Sequence, residues 1–282
     1  MILVFGKTGQ VAMELQRIGG VVALGRDQAD LSDPLACADA IRTYTPRAVI
    51  NAAAYTAVDR AEREEAIATI INGDAPTSMA QACAELGIPL VHISTDYVFD
   101  GTGEMPWRPN DLTDPQNAYG RSKLAGEMGV RTSGAVHAIL RTSWVVSAHG
   151  ANFVKTMLCL SETRDALSVV DDQIGGPTPA RDIAEACLQI VDHLIQDPSK
   201  SGAYHYSGVM DVSWAEFASM IFDQSGRSII VTPIPTLDYP TPAKRPLNSR
   251  MDCSAMEQIF GIVRPDWRSG LNMILQDLEV II

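Results

Sequence analysis

Tyr119 and Lys123 stand four positions apart in the stretch YGRSK. On a helix, positions i and i+4 share a face, so the ammonium can lie close to the phenol and stabilise its anion. A tyrosine near its ordinary pKa of about 10 is a poor acid at neutral pH. Beside a cation it can donate a proton to a carbonyl that receives hydride. A Tyr and a Lys at this spacing also occur on many plain surface helices, so the surroundings decide. ISTDYVFDG (Ile93 to Gly101) overlaps the end of the apolar run LVHIS (Leu90 to Ser94). Parallel α/β sheets bind ligands at the carboxyl ends of their strands. Ser94 and Thr95 therefore emerge where a substrate is expected, and a hydroxyl there can hydrogen-bond the reacting oxygen.

No side chain carries hydride, so this chemistry needs a nicotinamide cofactor. GKTGQVA (Gly6 to Ala12) supplies a candidate site, because it lies between the opening apolar run and an amphipathic segment. Gly6 and Gly9 permit a tight turn and close backbone approach, and the helix start offers free N–H groups to a pyrophosphate. The G-x-x-G-x-x-A spacing alone also fits an ordinary strand-to-helix turn. The second run ends ALGRD, where an acid would bind a ribose 2′-hydroxyl and an arginine a 2′-phosphate. Arg26 favours NADPH, and Asp27 beside it leaves NADH open. The following DLSDP reads as a helix start, with Asp33 as cap and Pro34 in the first turn.

These residues need a scaffold that brings them together. Short apolar runs recur at Ile2 to Phe5, Val21 to Leu24, Ala48 to Ala53, Leu90 to Ser94, Ala138 to Ser143 and Leu167 to Val170. Helical spacing separates them in VAMELQRI, PLACADAIRTY and NGDAPTSMAQACAELG, the last stopped by Gly87 and Pro89. The alternation predicts an α/β fold: a Rossmann-type, doubly wound parallel sheet with a smaller C-terminal substrate-binding domain. After about Asp172 glycine and proline punctuate the chain, in DDQIGGPTP and TPIPTLDYPTPAKRP. We expect an NADP-binding domain over 1–147, with about 166–197 returning to pack on it, and a substrate-binding domain over 148–282.

Composition sets limits. The chain has 282 residues, is 46% hydrophobic and carries a formal net charge of -12. That balance argues against a nucleic-acid or anionic-membrane partner, which requires clustered Lys and Arg. The five cysteines include no C-x-x-C pair, which points to reduced thiols and a cytoplasmic location. No apolar run approaches the roughly 20 residues of a membrane span. An anionic substrate must then find local cations, and Lys155, Lys244, Arg245 and Arg250 are the candidates in the second half. PAKRP, with Arg245, is the expected diphosphate clamp.

The glycine loop together with NAAAYTAVD, STDYVFDG and YGRSKLAGE resembles the extended short-chain dehydrogenase/reductase superfamily, and within it the dTDP-4-dehydrorhamnose reductases. The likeness continues through RTSWV, NFVKTML, LSVVDDQIGGPT and YPTPAKRPLNSRMD. It implies NADPH-dependent reduction of the C4 carbonyl of a dTDP-4-dehydro-6-deoxy-L-mannose substrate, with Thr95, Tyr119 and Lys123 as the catalytic trio. It places Gly9, Gln10 and Val11 at the pyrophosphate, Asp30 and Leu31 at the adenine end, and Ala53, Ala54 and Tyr55 below the ribose. Lys123 would also hold the nicotinamide ribose. Asp96, Trp144 and Asn152 fall on the sugar side. For some members it implies a magnesium ion joining a homodimer through carboxylates. Glu14 matches one such position, Asp277 is the nearest match to another, and Arg181 at a third would repel a cation. Metal and oligomeric state stay open. Two rivals are nucleotide-sugar dehydratases or epimerases and a non-catalytic regulatory subunit like that of methionine adenosyltransferase. A 4,6-dehydratase carries Asp then Glu after the Thr, where this chain has Asp96 and Tyr97. A binder has no need of the trio.

Overall fold

The structure is a computed structural model that describes residues 1–281. The first part of the chain runs β1 (Ile2–Phe5), α1 (Gln10–Ile18), β2 (Val21–Leu24), α2 (Pro34–Tyr44), β3 (Ala48–Asn51), α3 (Val58–Ala61), α4 (Glu65–Thr69), α5 (Ala75–Leu86), β4 (Leu90–Thr95), α6 (Ala118–Thr132) and β5 (His137–Thr142). The remainder adds β6 (Val145–Val146), α7 (Phe153–Leu160), β7 (Ala166–Val170), β8 (Ile174–Gly175), β9 (Thr178–Pro179), α8 (Ala180–Gln196), β10 (Gly202–His205), β11 (Val212–Ser213), α9 (Trp214–Gln224), β12 (Ile230–Ile234), β13 (Asn248–Ser249), α10 (Ser254–Phe260) and α11 (Trp267–Asp277).

Six strands pair in parallel in the order β10-β5-β4-β3-β1-β2. Alternate residues of each strand point to opposite faces. Ile2, Val4, Ile50 and Leu140 pack with α1, α8 and α10 on one side. Leu3, Phe5, Val49 and Ile139 pack with α2 and α5 on the other. The order reverses between β1 and β3, the switch point where doubly wound sheets open a crevice for ligand. Asp33 caps α2 by accepting from the Ala36 N–H at 3.1 Å, with Pro34 in the first turn. Gly87 ends α5 in a left-handed conformation at φ 65.

Two expectations are corrected here. The run at 167–170 is a strand, but it pairs with β12 outside the main sheet, in a second cluster built from Val154, Leu167, Phe217, Trp267 and Leu271. The sixth strand is β10. Its sequence, GAYH, is too short and mixed to stand out as an apolar run. Of the segment expected to return, 180–196 does so as α8, whereas 166–170 stays with the second cluster. That cluster already begins at Val146, and α10 packs back onto the sheet, so the division at 147/148 is not a single boundary. Among the described residues no helix is long and apolar enough to cross a membrane.

Candidate active site

Thr95 closes β4 and opens a single 3-10 turn, accepting from the Tyr97 N–H at 3.2 Å and donating to Asp96 Oδ1 at 3.0 Å. Asn117 starts α6 by accepting from the Gly120 N–H at 2.8 Å, which sets Tyr119 in the first turn. Gly120 is needed for the approach, since a Cβ there would lie 2.2 Å from the Tyr97 carbonyl oxygen. The rings of Tyr97 and Tyr119 meet edge to face at 5.4 Å. Burial pushes the Tyr119 phenol above its ordinary pKa, the Asp96 carboxylate adds to the rise, and the Thr95 hydroxyl opposes it. Lys123 shares the helix face but is aimed elsewhere, its Nζ donating to the Ile93 carbonyl at 2.7 Å. Burial lowers its own pKa to about 8, with Glu127 acting in the opposite sense. Among the described residues Lys123 Nζ makes no direct hydrogen bond to the Tyr119 phenol. The phenol is held as a protonated donor.

The cofactor candidates gather at the carboxyl ends of β1, β2 and β3. Gly9 caps α1 with extended backbone and no side-chain bond, so the first-turn N–H groups are free for an anion. Gly6 sits at φ 102, and a Cβ on it would press to 3.3 Å of the Ala52 carbonyl oxygen and Ala53 N. Such a cradle suits a dinucleotide. Val11 is buried, leaving its backbone as the available part. The Gln10 side chain is committed: Nε2 donates to the Val145 carbonyl at 3.3 Å, and Oε1 accepts from Ser147 Oγ at 2.9 Å and Asn152 Nδ2 at 3.0 Å. Arg26 is exposed just beyond β2, near Asp30, while Leu31 is buried below. After β3 come Ala53, Ala54 and Tyr55. Asn72, in the π turn Ile70–Asp74, fixes Tyr55 by accepting from its N–H at 2.8 Å and donating to its carbonyl at 3.0 Å.

The substrate candidates divide. Trp144 takes a left-handed backbone, φ 49, and stacks on Trp214 at 3.5 Å, joining the strand ends to the second cluster. Arg245 donates from Nη2 to Asp59 Oδ2 at 2.8 Å, and its Nη1 is buried without a partner. Asp96 is 2% exposed, and Ser249 Oγ donates to its Oδ2 at 2.5 Å. Burial raises its pKa to about 6 against those hydrogen bonds. Asn152 caps α7, its Oδ1 accepting from the Lys155 N–H at 3.2 Å, while its amide serves Gln10 and Ser147. Lys155 turns its Nζ to the Ala148 carbonyl at 3.1 Å. Both residues hold the 147–155 turn. A cavity of about 740 Å³ between Arg108, Asp252, Glu257 and Arg264 includes none of the expected residues.

With this geometry in view, the comparisons with known proteins are direct. The family model for the RmlD substrate binding domain matches residues 1–280. The chain belongs to that family. The dTDP-4-dehydrorhamnose reductase of Escherichia coli K12 is 40% identical to it, covering 98% of this chain and 97% of its own length. The crystal structure of a dTDP-4-dehydrorhamnose reductase from Clostridium acetobutylicum superposes with a TM-score of 0.92 at 36% identity, covering 99% of both chains. The enzyme of the same name from Bacillus anthracis, solved in complex with NADP, gives 0.90 at 33% identity over 98% of both.

For this RmlD family member the magnesium expectation can be tested on its own residues. Glu14 is not a surface acid: it is 4% exposed, with Oε1 3.1 Å from His149 Nε2. Asp277 is held by Arg17, and Arg181 pairs with Glu185. The cavity beside Glu14 measures about 20 Å³, the size of one water rather than a hydrated divalent ion. No group of three metal-ligating side chains occurs among the described residues. Within a single copy of the chain these residues do not assemble a magnesium site, whereas the expectation was of one shared between two copies. Sequence reasoning also passed over Ser249, Asp59, Trp214, Glu127 and Arg141. The last two carried a signal, since an arginine inside an apolar strand demands a buried partner.

Proposed function

We propose that the chain reduces the C4 carbonyl of dTDP-4-dehydro-6-deoxy-L-mannose with NADPH, giving dTDP-L-rhamnose, the last step of dTDP-L-rhamnose formation. The observation that carries this is the meeting of Thr95 and Tyr119 at the carboxyl end of β4, above the buried Lys123, in a chain akin throughout to reductases of that name. Bound along the ends of β1 to β3, the reduced nicotinamide supplies hydride. Gly6, Gly9, Gln10 and Val11 would hold the pyrophosphate through backbone N–H groups, and Arg26 the 2′-phosphate. Turned from Asp96 Oδ1 to the substrate, the Thr95 hydroxyl would donate to the sugar carbonyl oxygen, and the Tyr119 phenol would deliver its proton to that oxygen as negative charge develops. Lys123 would hold the nicotinamide ribose. Arg245, with Nη1 unpaired beside Tyr97, would take the substrate diphosphate. Trp144 offers a ring face to the sugar. A cytoplasmic location accords with five free cysteines, four of them buried.

The test is loss of NADPH absorbance with substrate generated in place, comparing wild type and Tyr119→Phe. Turnover in the wild type that falls about 1000-fold in the variant, with NADPH binding kept, is the expected result. Tight NADPH binding without turnover would move the assignment to another sugar nucleotide or to a regulatory subunit.

A further inference from the structure

Tyr119, Lys123 and Glu127 form one stripe down α6. Glu127 has no part in the proposed proton transfer, yet it is fully buried and its carboxylate is saturated. Oε1 accepts from Ser94 Oγ at 2.6 Å and Arg141 Nε at 2.8 Å, and Oε2 accepts from Arg141 Nη2 at 2.6 Å. Ser94 immediately precedes Thr95, so this carboxylate ties the end of β4 to the helix that carries Tyr119. Arg141 is anchored in turn, with Nη1 donating to the Pro109 carbonyl at 3.1 Å and the guanidinium 4.9 Å from the centre of the Phe99 ring. Stability alone is a poor account of such a pair, because an apolar pair of the same volume holds a core as well or better.

The charges around the stripe are unevenly matched. Lys123 is 2% exposed with one bond, to a main-chain carbonyl, and Arg141 is a second buried cation. His92 and Asp96 face the stripe from β4 and the turn after it, His205 from β10 at 3.3 Å from Arg141 Nη1, and Arg131 from the outer turn of α6 at 3.5 Å from Glu127 Oε2. Glu62 and Glu65 address the first turns of α6 through the Ala118 N–H and Arg121. Glu127 is the carboxylate whose field reaches Lys123.

We propose that Glu127 is the positioning residue of the site: through Ser94 it locks the Thr95 strand end to the Tyr119 helix, and it supplies the counter-charge that keeps the Lys123 head group an ammonium in its buried seat. This rests on the assignment of Tyr119 and Lys123 above. The experiment measures kcat against pH, with thermal melts, for wild type, Glu127→Gln, Glu127→Asp and Ser94→Ala. In Glu127→Gln the alkaline limb of kcat moves down by about one pH unit and the plateau falls about tenfold. Glu127→Asp keeps the charge and the wild-type limb, while its shorter reach lowers the plateau. Equal losses in Gln and Asp at every pH, with no movement of the limb, would reduce Glu127 to a structural role and overturn the proposal. Should Glu127→Gln fail to fold, Ser94→Ala decides, because it leaves the Glu127–Arg141 pair intact: a several-fold loss of kcat at an unchanged limb supports the lock, and wild-type kcat overturns it. A wild type that never turns over substrate defeats the parent assignment instead.

Discussion

Lys123 has a pH effect whose sign follows from its burial. Its folded-state pKa, lowered to about 8, lies below that of an exposed lysine, so between the two values the unfolded chain binds more protons and stability rises with pH. The cost of the buried ammonium is fully present below about pH 8 and gone above about pH 10.5. Lys123→Met should therefore melt above wild type at pH 7, by about 5 °C, and the difference should shrink to nothing as the pH approaches that of the free side chain. A constant difference across the series would show that the Lys123 pKa is the same in the folded and the unfolded chain. Arg245 makes a separate prediction from its buried, unpaired Nη1. Arg245→Ala should raise KM for the sugar nucleotide at least about tenfold and leave the Kd for NADPH unchanged in titration. Parallel loss of both would place the side chain in the scaffold. The placement of Thr95 at the end of β4 and of Tyr119 and Lys123 on one face of α6 was legible from residue type and spacing. The bonds that Asn152 and Lys155 make within the 147–155 turn were not legible, because a polar side chain in sequence does not disclose which neighbouring backbone group claims it.

At the scale of elements, α6 is the one that must be placed most closely, and glycines place it. A Cβ on Gly126 would lie 2.1 Å from the Asn72 carbonyl oxygen, a backbone atom that cannot swing aside. The helix thus rests against the π turn whose Asn72 also donates to Ser122 Oγ at 3.0 Å and fixes Tyr55. Gly126→Ala should cost roughly 2 kcal/mol in denaturant unfolding and lower kcat as α6 is pushed off its seat. A variant as stable as wild type would show that the turn yields freely. The strands β1 to β5 were legible as apolar runs between helical patterns, because burial on both faces leaves little room for polar residues. The π turn was not, since it arises from tertiary packing of 65–86 rather than from local preference. Neither was β10, where Tyr204 and His205 are buried by what surrounds them.

At the scale of the molecule, the two packing units are stitched by several passes of the chain. Asp96 holds Ser249, Trp107 Nε1 donates to the Asn248 carbonyl at 3.1 Å, and Asp59 accepts from the Ala243 N–H at 3.1 Å and from Arg245. Thermal unfolding should therefore be one transition. Of the four tryptophans, Trp144, Trp214 and Trp267 report on the second cluster and Trp107 on its seam with Phe99 and Asn248, whereas far-UV circular dichroism reports on the whole chain, so the fluorescence and dichroism melting curves should coincide; separate midpoints would refute the coupling. A compositional change near Asp172 was visible in the sequence, but the later return of α8, β10 and α10 to the sheet was not, because contact partners far apart in sequence leave no periodic trace. The same weave bears on how such a protein can change over generations. A chain divided once, with recognition on one side and cofactor on the other, can acquire a new specificity by a single recombination. Here the second cluster begins at Val146 and α8 is already back on the sheet by Ala180. New sugar preferences must instead accumulate by point substitution, or by exchanging two stretches at once.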